Sequence, residues 1–442
     1  MPSLRTTPAL LFGKELRELA ASRAWWLLLL LIGPLVGHGF ITAVELYAEA
    51  SGSGGGPAAL AQGLSPLDGI LVPTLSAYDL AVTLLFPFIA IRLIAFERSN
   101  GGWKLMLQSP ASVPAMLAAK AAALLAAWCV AWVPALLAIA LWHLYGGWLY
   151  APETLNLLLG HLLRFVLAAG VAVAAAAIAE SAASAAIAAL GFTVGTWVLE
   201  FVAAGRGGWL ERAASFTPTS ALRVFELGLF RLSTVAVTLL LGLGGFALAA
   251  IWLREGWSLR RRAARTALTL AALAIALAAA SLPRTAFDLS ENRRNSFPAA
   301  DEAALRRITA PLHVTVYLAA EDPRRMDLDR NILARLERIL PDVDVRYAAR
   351  SRSGLFEAPG DRYGEVWYEI GGRKLMSRST TERIVLDNLY QLAQVPPPSD
   401  SDAEAPGHPL AARPSGAAWV FYVIWPLAVA LCGWLHFRSR SR

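Results

Sequence analysis

Residues 96–110 read F-E-R-S-N-G-G-W-K-L-M-L-Q-S-P, a short polar break between two long apolar stretches. Glu97, Arg98 and Lys104 carry full charges, and a charge held in hydrocarbon is costly, so this segment must return to water. The apolar residues on either side run in blocks of roughly 20, the length a helix needs to cross a ~30 Å hydrocarbon core. The pattern repeats outward from this break. It predicts six spans at 24–46, 77–96, 114–143, 155–179, 182–204 and 232–253.

Composition agrees. The 442 residues are 56% hydrophobic and 17% charged, with a mean hydropathy of +0.48. Soluble domains carry about a quarter charged residues, so this is an integral membrane protein. Its net charge of +7 does not signal nucleic acid. The basic residues instead flank spans, at Arg5, Lys14, Arg17 and Arg23, at Arg254, Arg260, Arg261, Arg262 and Arg265, and at Arg438, Arg440 and Arg442. That is the signature of basic residues retained on the cytoplasmic side. Residues 47–76 and 146–160 hold no Lys or Arg and read as outside; the stretch from Arg98 to Lys120 reads as inside. Arg206, Arg212, Arg223 and Arg231 break this rule within a loop expected outside, offset in part by Glu211 and Glu226. The first apolar run is too long for a signal peptide and lacks a small-x-small cleavage site.

Ahead of the first span, residues 8–22 place Leu11, Phe12, Leu16 and Leu19 on one helical face and Lys14, Glu15, Arg17 and Glu18 on the other. Such a helix lies flat at the membrane surface. It is either an elbow that grips a partner or a plain lipid anchor.

The 96–110 segment resembles the loop after the second membrane helix of type-2 ABC exporter permeases, E-R-x-x-G-T-x-x-x-L-x-x-S-P. Glu97, Arg98, Gly101, Leu105, Ser109 and Pro110 match it, while Gly102 replaces the usual Thr and Lys104 a usual acidic residue. The resemblance implies a coupling helix docking on a separate ATPase subunit. Trp103, Lys104, Leu105 and Met106 would then be offered to a cleft on that partner, the alternative being a Trp103 anchored among lipid headgroups. It also implies short, partly re-entrant helices around F-T-P-T-S-A-L-R-V-F-E-L-G (216–228), and an elbow helix that uses Phe12, Lys14, Glu15, Leu16, Arg17 and Leu19.

Beyond the sixth span a basic turn, R-E-G-W-S-L-R-R-R-A-A-R (254–265), leads into a seventh span at 266–282, after which the composition changes. L-H-V-T-V-Y-L (312–318) alternates like a half-buried strand. Leu328, Ile332, Leu336 and Ile339 have a helical period over 328–340, strands follow at V-D-V-R-Y and E-V-W-Y-E-I, and Gly371-Gly372 turns the last one back. A helix is expected from Thr381 to Ala393 on Ile384, Leu386, Leu389 and Leu392. Strands alternating with helices make a small α/β domain, which span counting puts outside. P-P-P-S-D-S-D-A-E-A-P (396–406) reads as a flexible linker, and an eighth span at 417–436 returns the tail inside.

F-D-L-S-E-N-R-R-N-S-F-P-A-A-D (287–301) is similar to the start of the auxiliary subunit of gliding-motility-associated ABC systems, with Phe287, Asp288, Leu289 and Ser296 matching, Phe297 standing for Leu and Asp301 in a Thr region. That resemblance implies a thioredoxin-like fold. The fold class expected is thus an α-helical polytopic membrane protein, a six-helix ABC permease bundle plus two flanking spans, with a small extracytoplasmic, thioredoxin-like α/β domain. Its parts are 1–23 (elbow), 24–253 (permease), 254–283 (turn and seventh span), 284–395 (α/β domain), 396–416 (linker) and 417–442 (eighth span and tail).

Catalytic chemistry is absent. No G-x-x-x-x-G-K-[ST] phosphate loop occurs, so ATP and Mg are expected on the partner ATPase and no cofactor on this chain. No C-x-x-C exists, Cys129 and Cys432 lie in apolar runs, and the six histidines show no metal-ligand spacing. Glu180, Glu200, His38 and Arg92 lie in or near spans and are functional candidates by depth, with helix-end solvation or snorkelling as the plain alternative. The expected partners are two ATPase copies, a second copy of the chain, a periplasmic or envelope protein and membrane lipid, in a bacterial inner membrane with both termini cytoplasmic. Against the exporter subunit stand a non-transport scaffold that recruits envelope or gliding-type components and, with no catalytic constellation to support it, a membrane enzyme.

Overall fold

A computed structural model of the chain describes residues 7–53, 65–203, 208–283, 285–319, 322–348, 362–398 and 407–440. Helix α1 (Thr7–Ala20) precedes α2 (Arg23–Ala48), which a wider turn extends through Ser53. A similar turn at Leu67–Leu71 opens α3 (Val72–Ser99), followed by the short α4 (Gly102–Leu107). Then come α5 (Val113–Ala131), α6 (Val133–Leu144), α7 (Ala151–Ile178), α8 (Ala182–Ala203), α9 (Gly208–Ala214), α10 (Pro218–Glu226), strand β1 (Leu229–Arg231), α11 (Leu232–Trp252) and α12 (Leu259–Ser281). Prolines sit in the first turns of α3, α5, α6, α7 and α10, where the missing N–H would have had no partner. Ser112, Thr217 and Ser258 accept from the amides of Ala115, Ser220 and Arg261 and cap α5, α10 and α12.

The α/β domain starts with β2 (Ala286–Asp288) and α13 (Ala299–Leu305), then β3 (Leu312–Val316), α14 (Pro323–Asp327), α15 (Ala334–Ile339), β4 (Val343–Tyr347), β5 (Val366–Ile370), β6 (Arg373–Ser377) and α16 (Glu382–Ala393). Its sheet runs β4-β3-β5-β6, with β3 parallel to β4 and antiparallel to β5, and β5 antiparallel to β6. Leu312, Val314 and Val316 point into the core, as the alternation predicts. Gly371 and Gly372 both take positive φ (57° and 80°), the conformation a two-residue hairpin turn needs. The helix expected over 328–340 is divided, because a wider turn at Leu328–Leu333 joins α14 to α15. Ile384 is 44% exposed, and Val385, Leu386, Leu389, Tyr390 and Leu392 form the buried face of α16 instead.

Helices α17 (Ala417–Trp419) and α18 (Trp425–Arg440) complete the chain. Among the described residues eight helices are long and apolar enough to cross a membrane, at Arg23–Gly52, Leu67–Ser99, Val113–Leu144, Ala151–Ile178, Ala182–Ala203, Leu232–Trp252, Leu259–Ser281 and Ala417–Ser439. The architecture is that of a helical, multi-pass membrane protein with a small α/β domain. Three boundaries differ from the sequence reading. The second span begins about ten residues early, at Leu67, so part of the expected loop is helical. The third is broken beside Trp132, where Pro134 cannot donate to the carbonyl of Val130. The seventh starts at Leu259 because its basic first turn is itself helical.

Small residues set the packing. A Cβ added to Gly170 of α7 would lie 2.2 Å from the Gly242 carbonyl oxygen, and one on Gly245 would lie 2.3 Å from that of Gly170, so α7 and α11 touch backbone to backbone. Gly33 and Gly37 of α2 receive Trp425 and Phe421, which dock the last span on the first. Along α11, α12 packs through Leu273 on Gly244 and a Trp252–Thr266 hydrogen bond.

The α/β domain is tied to its end of the bundle. Strand β2 pairs antiparallel with β1, Phe287 opposite Phe230. Asn156 donates to the Leu229 carbonyl, Glu153 accepts from the Glu291 amide, and Arg294 pairs with Asp68 and Glu153. The matched Asp288 and Ser296 close the loop between them, Ser296 Oγ donating to Asp288 at 2.7 Å. Of the expected linker, 399–406 lies outside the described residues. Its later part is held rather than loose: His408 contacts Glu291 at 2.9 Å, its carbonyl accepts from Tyr47, and Leu410 N donates to Ser51 Oγ.

Candidate functional site: an ionic centre beneath the 97–110 loop

At the opposite end of the bundle, α1 lies across α5 and also meets α2 and α3. Residues 11, 15 and 19 fall on one helical line, and it is this line that turns inward: Leu19 is buried, Leu11 packs on the core, and Glu15 is fully covered. Glu15 was expected on the solvated face with Lys14 and Arg17; only Arg17 stays exposed. Phe12 and Leu16 are half-buried.

Lys120, near the start of α5 and fully buried, explains this. Its ammonium donates to Glu15 Oε2 at 2.7 Å, pairs with Glu97 Oε2 at 2.8 Å and donates to the Leu93 carbonyl at 3.0 Å. Lys14 pairs with Glu97, with Glu15 at 3.1 Å and with Glu18 at 3.0 Å, and also reaches Met106 Sδ at 3.3 Å. Two ammonium groups and three carboxylates thus join α1, α3, α4 and α5. Buried ions demand such mutual compensation, since each lost hydration on folding. Glu15, Glu18 and Glu97 bring oxygens within 4.8 Å of one another, yet Lys14 and Lys120 already supply the positive charge that a metal would add.

Two further anchors hold the loop. Arg98 Nη1 donates to the carbonyls of Ala176, Ala177 and Ala179 at 2.7, 3.1 and 2.8 Å, closing the open C-terminal carbonyls of α7. Trp103, 3% exposed, donates from Nε1 to the Leu253 carbonyl at the end of α11. Gly101 makes the turn between α3 and α4 with φ 77°, where a side chain would be strained. Ser109 Oγ donates to the Met106 carbonyl and ends α4.

These contacts correct the sequence reading. Trp103 does not stand out for a partner, because its own bundle buries it. Glu97 does not return to water, because neighbouring helices supply its counter-charges. Arg98 is exposed but its guanidinium is committed to α7. The outward surface is instead Lys104, Leu105 (70% exposed), Ser109 and Pro110, with Met106 half-covered. The sequence reading took Lys120 only as the end of a basic stretch. Its signal was a lone lysine in V-P-A-M-L-A-A-K-A-A-A-L-L, which a bundle can bury only beside an acid.

Of the candidates chosen by depth, Glu180 lies in the turn between α7 and α8, His38 is exposed and Arg92 lies over Phe96. Glu200 accepts from the Thr217 hydroxyl and the Ser220 amide at the start of α10. Among the described residues, Arg164, paired with the half-buried Asp79, and His161, beside Tyr78 and Trp132, are buried at mid-span instead. Comparison of the chain with family models, curated proteins and solved structures finds no match.

Proposed function

We propose that the chain is the membrane-spanning subunit of an ABC-type exporter or ATP-driven transmission machine, working as a homodimer with two copies of a separate ATPase that binds ATP and Mg. The observation that carries this reading is the two-sidedness of the 102–110 segment. Lys104, Leu105, Ser109 and Pro110 face outward, while Trp103 and the neighbouring ionic centre key the other side to four helices, α1, α3, α5 and α11. A large exposed Leu on a rigidly mounted turn fits a docking contact.

A push on this segment reaches α11 through Trp103, α7 through Arg98, and α1 and α5 through Lys120. At their far ends α7 and α11 hold β1, which pairs with β2 and so with the α/β domain. The strand order supports a thioredoxin-like domain: a parallel β3/β4 pair joined by helix, an antiparallel β5/β6 hairpin, then α16. With no C-x-x-C, that domain binds a periplasmic or envelope partner rather than exchanging disulfides. The distribution of basic residues supports α1 and α4 on the cytoplasmic side of a bacterial inner membrane.

Affinity purification of the tagged chain from its native membrane tests the reading. A phosphate-loop ATPase should be recovered in equal amount, and Leu105→Asp with Lys104→Glu should abolish its recovery without lowering the melting temperature. Recovery of envelope proteins with no ATPase would point to a scaffold instead.

A further inference from the structure

Halfway along α7, Arg164 is buried to 7% exposure among apolar helices. Its Nε pairs with Asp79, and Nε and Nη2 donate to Thr83 Oγ1 at 3.3 and 3.2 Å. Nη1 has no hydrogen-bond partner. A guanidinium has five N–H donors, so two of them point at nothing in a region without bulk water, a costly arrangement unless something else accepts. Thr219 Oγ1, beside the start of α10, is likewise buried without a partner.

Both residues line one cavity of about 30 Å³ between α3, α7, α8 and α10. About 10–15 Å³ of such volume holds one water-sized atom, so the slot takes two to three such atoms. Thr193 and Thr196 line it too, and their hydroxyls donate to helix carbonyls, leaving their lone pairs inside. Phe192 and Trp197 form an apolar wall. They are nevertheless 38% and 37% exposed and flank the two threonines on α8, so the cavity lies directly beside the exposed sides of this helix. Along α8 only Ala185, Ala189 and Ala203 are buried among the described residues, leaving this wall lightly held.

We propose that the slot binds the carboxylate of a long-chain amphiphile, a ligand of fatty-acid type. Arg164 Nη1 and Thr219 Oγ1 donate to the carboxylate, and the chain leaves along the flank of α8, past the exposed ring of Phe192 or Trp197, into the bilayer. The two oxygens of a carboxylate fit that volume, whereas a phosphate headgroup brings four. The other acids nearby are already engaged, Asp79 by Nε and Glu200 by Thr217 and Ser220. Binding at this slot does not depend on ATPase docking.

The full chain in nanodiscs of zwitterionic lipid is to be labelled with three diazirine probes: palmitate, hexadecanol and lysophosphatidate. Palmitate should crosslink to peptides covering 164–171 and 189–197, and free oleate should displace it. Loss of a charged hydrogen bond should lower that labelling at least about tenfold in Arg164→Gln. Thr219→Val, which spares the Asp79–Arg164 pair, should lower it several-fold by the same loss. Equal labelling by hexadecanol, preferential labelling by lysophosphatidate, or undiminished palmitate labelling in a folded Arg164→Gln chain overturns the proposal. Should Arg164→Gln not fold, undiminished labelling of Thr219→Val does so.

Discussion

Lys120 is the residue on which the ionic centre turns. Replacing it with Met leaves Glu15 and Glu97 buried with one cation fewer, and removing one partner of a buried pair costs about 3–5 kcal/mol. Lys120→Met should therefore lower the melting temperature of the detergent-solubilised chain sharply, and adding Glu15→Gln should restore part of it. Trp103→Ala should also destabilise, by about 3–5 kcal/mol for an emptied aromatic site. A Trp103 that served only a partner would leave the melting temperature unchanged. In the α/β domain, hydrogen bonds from the Arg324 guanidinium, the Tyr363 hydroxyl and the Arg324 amide hold the Asp322 carboxyl at about 2. Its unfolded value is about 3.9, so the folded state binds fewer protons between the two. The stability it contributes is present above about pH 4 and is lost as pH falls through about 2. The difference in melting temperature between the natural chain and Asp322→Asn should accordingly be full at neutral pH and vanish near pH 2.

At the scale of elements, α7 and α11 meet backbone to backbone. Neither helix can carry a side chain at Gly170 or Gly245 without moving backbone. Gly170→Val should cost about 1–3 kcal/mol by overpacking and spread the two helices, measurable as a longer distance between spin labels on their lipid-facing sides. The same helices carry the proposed transmission path, so that variant should also lose ATP-driven output at unchanged ATPase recovery. Periodicity located these helices well because a span must hide its whole backbone from lipid. It could not show that Pro134 divides one span, or that α10 returns to line a cavity with α7 and α8, since both depend on neighbours.

Across the whole molecule, the spans, the α/β domain, its strands β3, β4 and β5 and its last helix were legible in the sequence, whereas α13 and the break between α14 and α15 were not. Long apolar runs have one solution in a bilayer, and alternation, helical period and Gly371-Gly372 act locally. The segment 97–110 and the elbow were also visible as polar interruptions that cannot stay in hydrocarbon. What only the tertiary structure decided is which faces those elements turn inward. Glu15 and Glu97 read as surface charges until Lys120 is placed between them, and Trp103 reads as an anchor for a partner until the end of α11 covers it. Arg231, just before α11, looks misplaced until it is set at the junction with the α/β domain, in a cleft it shares with Glu337. The reason is physical: hydrophobic length is a property of one segment, whereas the burial of a charge depends on a counter-charge that the chain delivers from tens of residues away.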